Sequence, residues 1–239
     1  MIRMAHPADA RCAVSRHGAS GRLARHRHTT PYAALVISGG YTEAGDLGRH
    51  RVRPGDILVH GRFDAHQDRF GARGAQVLNL PLPGITRALA GRIADPDAVA
   101  RLAESDVSAA AALALETIAF DVEECADWPD LLARALRAGA VASLAEWAFE
   151  AGVAASSLSR GFRLAYGVSP KRYRAEYRAR RAVEALLAAS GSLASVAADA
   201  GFADQAHMTR DVAALTGCAP GRLRRAHVKT VQDGAVRTL

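Results

Sequence analysis

Cysteine is scarce in this 239-residue chain: there are three, Cys12, Cys125 and Cys218, far apart and odd in number. No CxxC spacing occurs, which excludes a disulfide framework and a thiolate zinc site. Long apolar runs are missing as well. No window approaches the roughly 18 uncharged apolar residues of a membrane-spanning helix, and the N-terminal stretch MIRMAHPADARCAV lacks a signal-type apolar core. The expectation is a cytoplasmic protein with no membrane partner. Lysine is nearly absent, Lys171 and Lys229 being the only two among 31 basic residues; the surplus of Arg and Ala reads as a coding bias rather than as chemistry. What is present is 49% hydrophobic, with mean hydropathy near zero. That suits a globular protein of one large or two ordinary domains.

The net charge of +7 is unevenly placed. Residues 1–130 carry 15 Arg and Lys against 16 Asp and Glu, and residues 131–239 carry 16 against 8. Basic side chains neutralise phosphates and release counterions, which supplies sequence-independent affinity for DNA. A solvated basic face on an ordinary helical domain would give the same balance, so charge alone does not decide.

Texture also changes along the chain. Residues 1–21 show no periodicity and read as a flexible arm. From 22 to 83, short apolar runs (Ala33–Ile37, Ile57–Val59, Val77–Leu80) alternate with turn signals such as Ser38-Gly39-Gly40 and Pro54-Gly55-Asp56. This predicts a small antiparallel barrel or sandwich. Residues 84–138 turn Ala/Leu-rich, with helices expected at about 84–93, 97–104, 107–120 and 129–138. The third is apolar nearly all round, so it is expected to be buried or to pack on a partner chain. Arg137-Ala138-Gly139-Ala140 reads as the linker to the basic half.

That half contains one pattern twice. The first copy runs Leu144, Trp147-Ala148, Gly152, Leu158, Arg160, Phe162, Gly167, Pro170, Tyr173; the second runs Val196-Ala197, Gly201-Phe202, Met208, Arg210, Gly217, Pro220. Each reads as helix, glycine turn, helix, the outline of a helix-turn-helix, and the turn glycines are 49 residues apart. In the first copy Leu158 and Phe162 share an inward face, leaving Ser156, Ser157, Ser159, Arg160 and Arg163 outward. Arg can grip guanine through two bonds, and Ser can contact bases or phosphates. Ser169-Pro170 then starts a helix dense in Arg, with Lys171 and Arg172 in its first turn. In the second copy Gln205, His207, Thr209 and Arg210 are the polar side chains available to a groove.

Residues 141–228, through SLAEWAFEAGVAASSLSRGFRLAYGVSPKRY and SLASVAADAGFADQAHMTRDVAALTGCAPGRLRR, resemble the DNA-binding domain of the AraC/XylS family of bacterial transcription regulators. The resemblance implies two helix-turn-helix subdomains joined by a rigid helix, reading successive major grooves of double-stranded DNA. It implies base and backbone contacts from Ser156, Ser157, Ser159, Arg160, Gln205, His207 and Arg210. It also implies a non-enzymatic regulator, more an activator touching RNA polymerase than a repressor, working with a small-molecule effector and as a homodimer. Two departures stand out. Ala154 and Ala203 occupy the usual Ser cap positions, for which Ser156 and Asp204 are expected to substitute in part, and Asp211-Val212-Ala213-Ala214 replaces an aromatic followed by basic residues. The first unit and the Arg-rich helix are therefore expected to supply most of the affinity. Residues 229–239 read as a tail.

Many such regulators carry a cupin-like sensor barrel, which the strand pattern of residues 22–83 resembles. The fold class expected is thus α+β and multidomain, a cupin-like β-barrel with helices followed by an all-α double helix-turn-helix domain. His26 and His28, two apart, would share one strand face, and imidazole suits a divalent transition metal. His66 sits where the resemblance implies a further ligand. No Glu follows His28 at the family's distance, and Glu43 and His60 are the remaining candidates. Three readings stay open: a metal site, a polar effector pocket, and structural histidines. A metal-dependent cupin oxygenase or isomerase with a DNA-binding tail, and an architectural DNA binder without ligand, are the rival functions.

Overall fold

The computed structural model describes residues 3–5, 13–83, 88–119, 122–188 and 191–225. Strands β1 (Arg3–Ala5), β2 (Ala13–His17), β3 (Arg22–His28), β4 (Tyr32–Gly45), β5 (Gly48–Val52), β6 (Asp56–His60), β7 (Ala65–Pro81) and β8 (Leu89–Ile93) precede helices α1 (Pro96–Ala103) and α2 (Val107–Glu116). A two-residue strand β9 (Ile118–Ala119) leads to α3 (Trp128–Arg137), α4 (Leu144–Glu150), α5 (Ala155–Tyr166), α6 (Pro170–Ala188), α7 (Leu193–Asp199) and α8 (Gln205–Thr216). Two compact units result, residues 1–170 and 171–239.

In the first unit the strands form one sheet whose spine is the pair β4 and β7, antiparallel from Tyr32↔Pro81 to Gly45↔His66. Shorter strands flank each half of this pair: β6 and β5 along β4, β2 and β3 along β7. The register shifts near Val36–Ser38 and Gly39–Tyr41. Gly39 has φ +74, and a β-carbon there would meet the Gly74 carbonyl, so only glycine allows the bend. The bulges also change the parity of the inward side chains, from 32 and 34 to 41 and 43 on β4, and from 66, 68 and 70 to 77, 79 and 81 on β7. One sheet face thereby lines a cavity from both halves. The sheet order β1-β3-β7-β4-β6-β8-β9 ends on β1 and β9, and among the described residues no pairing joins these edges, so the sheet is not closed.

The opposite face of Ala33, Leu35, Ile57, Val59, Leu78 and Leu80 packs under Val99 of α1 and Ala110, Ala111 and Ala114 of α2. One face of the all-apolar α2 is thus buried on its own sheet, while Ala112 and Leu115 on the other face are exposed. Asp95 and Asp106 cap the two helices through the Ala98 and Ala109 amides at 2.8 and 2.9 Å.

Several expected elements differ. Residues 13–17, which the sequence places in a loose arm, pair with β7 along Ala75–Asn79. Their alternation is nearly invisible because the outward Val14 is exposed and the inward residues are Ser15 and His17. Residues 89–93 form a strand where local propensity predicts a helix, because the free edge of β6 outweighs the Ala/Leu preference. A β-carbon on Gly91 would strike Ile118, so the close β8–β9 approach requires a glycine there. The helix expected to reach Phe120 ends at Glu116, where Ile118 begins pairing with β8. Residues 84–87, the start of the first expected helix, and the 229–239 tail lie outside the described residues.

The boundary between units falls after Pro170 rather than at the expected 137–140 linker. Helices α4 and α5 group with the sheet. Tyr166 of α5 donates to Asp130 of α3 at 2.9 Å, and a β-carbon on Gly161 would overlap the Trp128 ring. Asp130 in turn holds Arg49 of β5 through two bonds of 3.0 and 2.7 Å. Among the described residues no helix is long and apolar enough to cross a membrane.

Candidate functional site

Two sites emerge, a pair of helix-turn-helix surfaces and a histidine-lined cavity. In the first helix-turn-helix, Ser143 caps α4 through the Glu146 amide at 3.3 Å. Gly152 makes the turn with φ +64, in the left-handed region that glycine reaches without strain. α5 buries Leu158 and Phe162 as the spacing predicts, and leaves Ser156, Ser157, Ser159, Arg160 and Arg163 exposed. Ala154 makes no side-chain cap.

The second helix-turn-helix uses the same turn, Gly201 having φ +77. Ser192 caps α7 through the Ser195 amide at 3.0 Å. Of the two residues able to substitute for the missing caps, Asp204 does so and Ser156 does not. The N-cap of α8 is Asp204 rather than Ala203, and its carboxylate accepts from the His207 amide at 2.6 Å. The loss at Ala203 is therefore offset by the Asp204 cap.

The polar set on α8 is also smaller than the sequence implies. His207 faces the Phe202 ring edge-on at 5.2 Å, and its Nε2 lies 3.5 Å from Asp211 and 3.3 Å from Arg178. The Thr209 hydroxyl donates back to the Gln205 carbonyl at 2.8 Å. Both side chains are spent inside the subdomain, leaving Gln205 and Arg210 exposed. Arg178 of α6 is the hub: it stacks 4.4 Å over Phe202, donates to the Gly201 carbonyl at 3.1 Å and pairs with Asp211 at 3.7 Å. Asp211, the apparent departure from the family pattern, is thus an internal anchor. On the same helix Arg172 pairs with Glu176 and Arg180 with Glu184, each at 2.6 Å. Much of the positive charge on the Arg-rich helix is therefore engaged internally; Lys171 and Arg181 are exposed, as is Arg172 despite its pairing.

The cavity, of about 270 Å³, has one end built from His26, His28, Tyr32, Glu43, His66 and Asp68. His26 and His66 are direct cross-strand partners on β3 and β7. A bulge between Leu23 and His26 lets both residues face the cavity despite their odd spacing. His26, His28 and His66 form one donor set, and Glu43, His60 and His66 another; within each set, the donor atoms all lie within 4.8 Å of one another. All five residues expected from the sequence are therefore brought together. Tyr32 and Asp68 were missed. Tyr32 stacks on His60 at 4.6 Å, with its hydroxyl 3.4 Å from His66 Nε2, and Asp68 Oδ2 lies 3.9 Å from the same nitrogen. The period of two from His66 pointed to Asp68; nothing local pointed to Tyr32. The other end is more apolar, with Leu23, Ala34, Tyr41, Phe70 and Val77 beside Ser15 and Asn79.

Burial governs the protonation of this cluster. It pulls the imidazoles below their ordinary range, His28 to about 4 and His60 to about 3, and the neighbouring histidines add to the shift. His26 and His66 move the same way, also chiefly by burial. Burial raises Glu43 well above the usual carboxyl range, with Asp68 adding to it, and pushes Asp68 up to about 7. At neutral pH the imidazoles thus present free lone pairs. The buried His28 Nε2, His66 Nδ1 and Asp68 Oδ1 have no hydrogen-bond partner, an arrangement that costs free energy unless something else meets them.

Residues 147–226 match a family described as a helix-turn-helix domain. No curated protein matches the chain. Among solved structures, ToxT from Vibrio cholerae O395 is similar with TM-score 0.40 and 10% identity, covering 90% of this chain and 96% of that one. A probable AraC family transcriptional regulator from Rhodopseudomonas palustris CGA009 gives 0.37 and 18%, covering 40% and 93%. The AraC-like transcriptional activator CuxR gives 0.32 and 13%, covering 85% and 67%.

Proposed function

Residues 147–226 are a helix-turn-helix domain of the AraC type, and from that premise we propose that the protein is a sequence-specific transcription regulator governed by a ligand in its N-terminal cavity. The observation that supports DNA reading is the pair of capped or glycine-turned helices whose outward faces carry Ser156, Ser157, Ser159, Arg160 and Arg163 in one case, Gln205 and Arg210 in the other. Ser and Arg contact phosphates and guanine edges, and Gln contacts adenine. The protein works in the cytoplasm as an activator with RNA polymerase as partner, and not as an enzyme.

For the cavity, the reading is a cupin-like sensor that takes a divalent transition metal together with a small molecule. The donor chemistry fits: neutral buried imidazoles with unpartnered nitrogens converge beside two carboxyls that a cation would ionise. His26, His28 and His66 would hold the ion, with Glu43 and His60 as the alternative set around the shared His66. A bound metal would supply a Lewis-acidic anchor for an oxygen-bearing effector reaching in from the apolar end.

The test is a binding titration of the full chain on DNA selected from a random library and on its scrambled counterpart. Preference for the selected DNA at physiological salt is expected; equal and fully salt-labile binding to both would count against regulation by sequence. Metal counting on the same protein should give one ion per chain, lost in His26→Ala and in His28→Ala. Stoichiometric metal with turnover of a small substrate would favour the enzyme instead.

A further inference from the structure

The strands that carry the cavity histidines also hold the C-terminus of the first reading helix. On β3, His26 and His28 face the cavity, so Arg25, the residue just before His26, points to the opposite face; on β7, His66 and Asp68 face in, and Gln67 and Arg69 face out. Those outward side chains close on the last carbonyls of α5. Arg25 Nη1 donates to the Tyr166 carbonyl at 3.4 Å, Gln67 Nε2 donates to Ala165 at 2.6 Å, and Arg69 Nη2 donates to Leu164. The final carbonyls of a helix have no partner within it, and cationic or amide donors at that end also complement its dipole. Gly167 closes the helix with φ +77, and a β-carbon there would meet Gln67 at 2.7 Å and Arg25 at 3.0 Å. At its other end α5 has no side-chain cap. The C-terminal end of the helix that carries Arg160 is therefore held from the sheet, in addition to its packing on Trp128 and the Tyr166–Asp130 bond to α3.

We propose that β3 and β7 act as a two-faced lever, in which occupancy of the cavity by the ligand sets how firmly Arg25, Gln67 and Arg69 hold α5. His26 and His66 are opposite each other in the ladder, so an ion or ligand that draws them together pulls on both strands at the residues next to Arg25 and Gln67. A backbone shift that moves a side chain on one face of a strand also moves its sequence neighbour on the other face. Arg25 also bridges to Asp46 at 3.1 Å, and Asp46 accepts from the Ala65 amide at 3.1 Å, which ties the clamp to the residue preceding His66. By linkage the coupling is reciprocal: what loosens α5 changes affinity in the cavity by the same factor. The inference rests on the sensor reading of the cavity.

The experiment is hydrogen–deuterium exchange on the full chain with and without zinc, metal being counted on the same samples, for the native protein and for Gln67→Ala/Arg69→Ala. Each clamp bond of ordinary strength corresponds to about a two- to tenfold change in local opening. Zinc is expected to shift exchange of amides 160–167 by that order, and the double variant to bind zinc without the shift. One zinc per chain with unchanged exchange overturns the lever, as does a shift that persists in the double variant. If no zinc is retained, the metal reading fails on its own, and His66→Phe, with Asp68→Asn as a milder change, perturbs the same face instead. Native exchange at 160–167 in these folded variants then overturns the lever; a shift abolished by Gln67→Ala/Arg69→Ala upholds it.

Discussion

Replacing Arg178 by Met separates a structural arginine from one that neutralises a phosphate. The guanidinium sits 4.4 Å over Phe202, donates to Gly201 at 3.1 Å and pairs with Asp211 at 3.7 Å, with about a quarter of each charged side chain exposed. A partly exposed cation–π contact contributes about 0.5–1 kcal/mol, the charge-assisted bond to the turn carbonyl about 1 kcal/mol, and a solvent-screened ion pair about 0.5 kcal/mol. Met keeps the apolar stem over Phe202, so the expected loss is about 2 kcal/mol, or roughly thirtyfold in the opening of α7 and α8. Exchange of amides 193–216 measures this directly. The parallel assay is DNA affinity against salt. Removing a cation that neutralises a phosphate would flatten the log–log slope by about one unit; removing an internal hub weakens binding and leaves the slope unchanged. A flattened slope with native exchange would refute the assignment of Arg178 to the interior of the second subdomain.

Three further outcomes follow from the same geometry. Ala154→Ser supplies the absent cap of α5 and should raise its stability by about 0.5–1 kcal/mol, whereas Asp204→Ala should cost α8 about 1 kcal/mol; exchange in each helix reports both, and equal effects of the two at one helix would contradict the cap assignment. His60 is held neutral, its folded value of about 3 lying below the unfolded 6.5. Its contribution is therefore whole above pH 6.5 and lost as pH falls towards 3, so between pH 7 and pH 5 the metal-free protein should lose about 2 kcal/mol relative to His60→Gln in urea titrations. Gly167→Ala should destabilise residues 160–167 through both its positive φ and the contact with Gln67, and a native exchange pattern there would speak against the close approach.

The sequence displayed the helix-turn-helix units almost completely, because their signals are local: a glycine forced to positive φ at 152 and 201, Ser192 as a cap, Leu158 and Phe162 four apart. The five cluster residues were also named from the sequence, a period of two along β3 placing His26 and His28 together. Less legible was whatever depends on distant pairing. Ser15 and His17 look like arm residues until β7 offers an edge, and Leu89–Ile93 looks helical until β6 does. The open edges of the sheet, with no pairing between β1 and β9 among the described residues, leave no mark on strand periodicity. His207 and Thr209 on a reading helix, and Arg178 on the Arg-rich α6, show why a polar residue's position is an incomplete argument. Each could face a groove by position, and each is engaged by a partner that only the fold brings near.

Selection of binding sites from random DNA by the full chain tests the central claim most directly. The account predicts one enriched site with two separately readable parts, Arg160→Ala relaxing preference in one part and Gln205→Ala or Arg210→Ala in the other, each by about 1–3 kcal/mol at the contacted base. Recovery of no enriched sequence, with affinity that vanishes uniformly as salt rises, would contradict it.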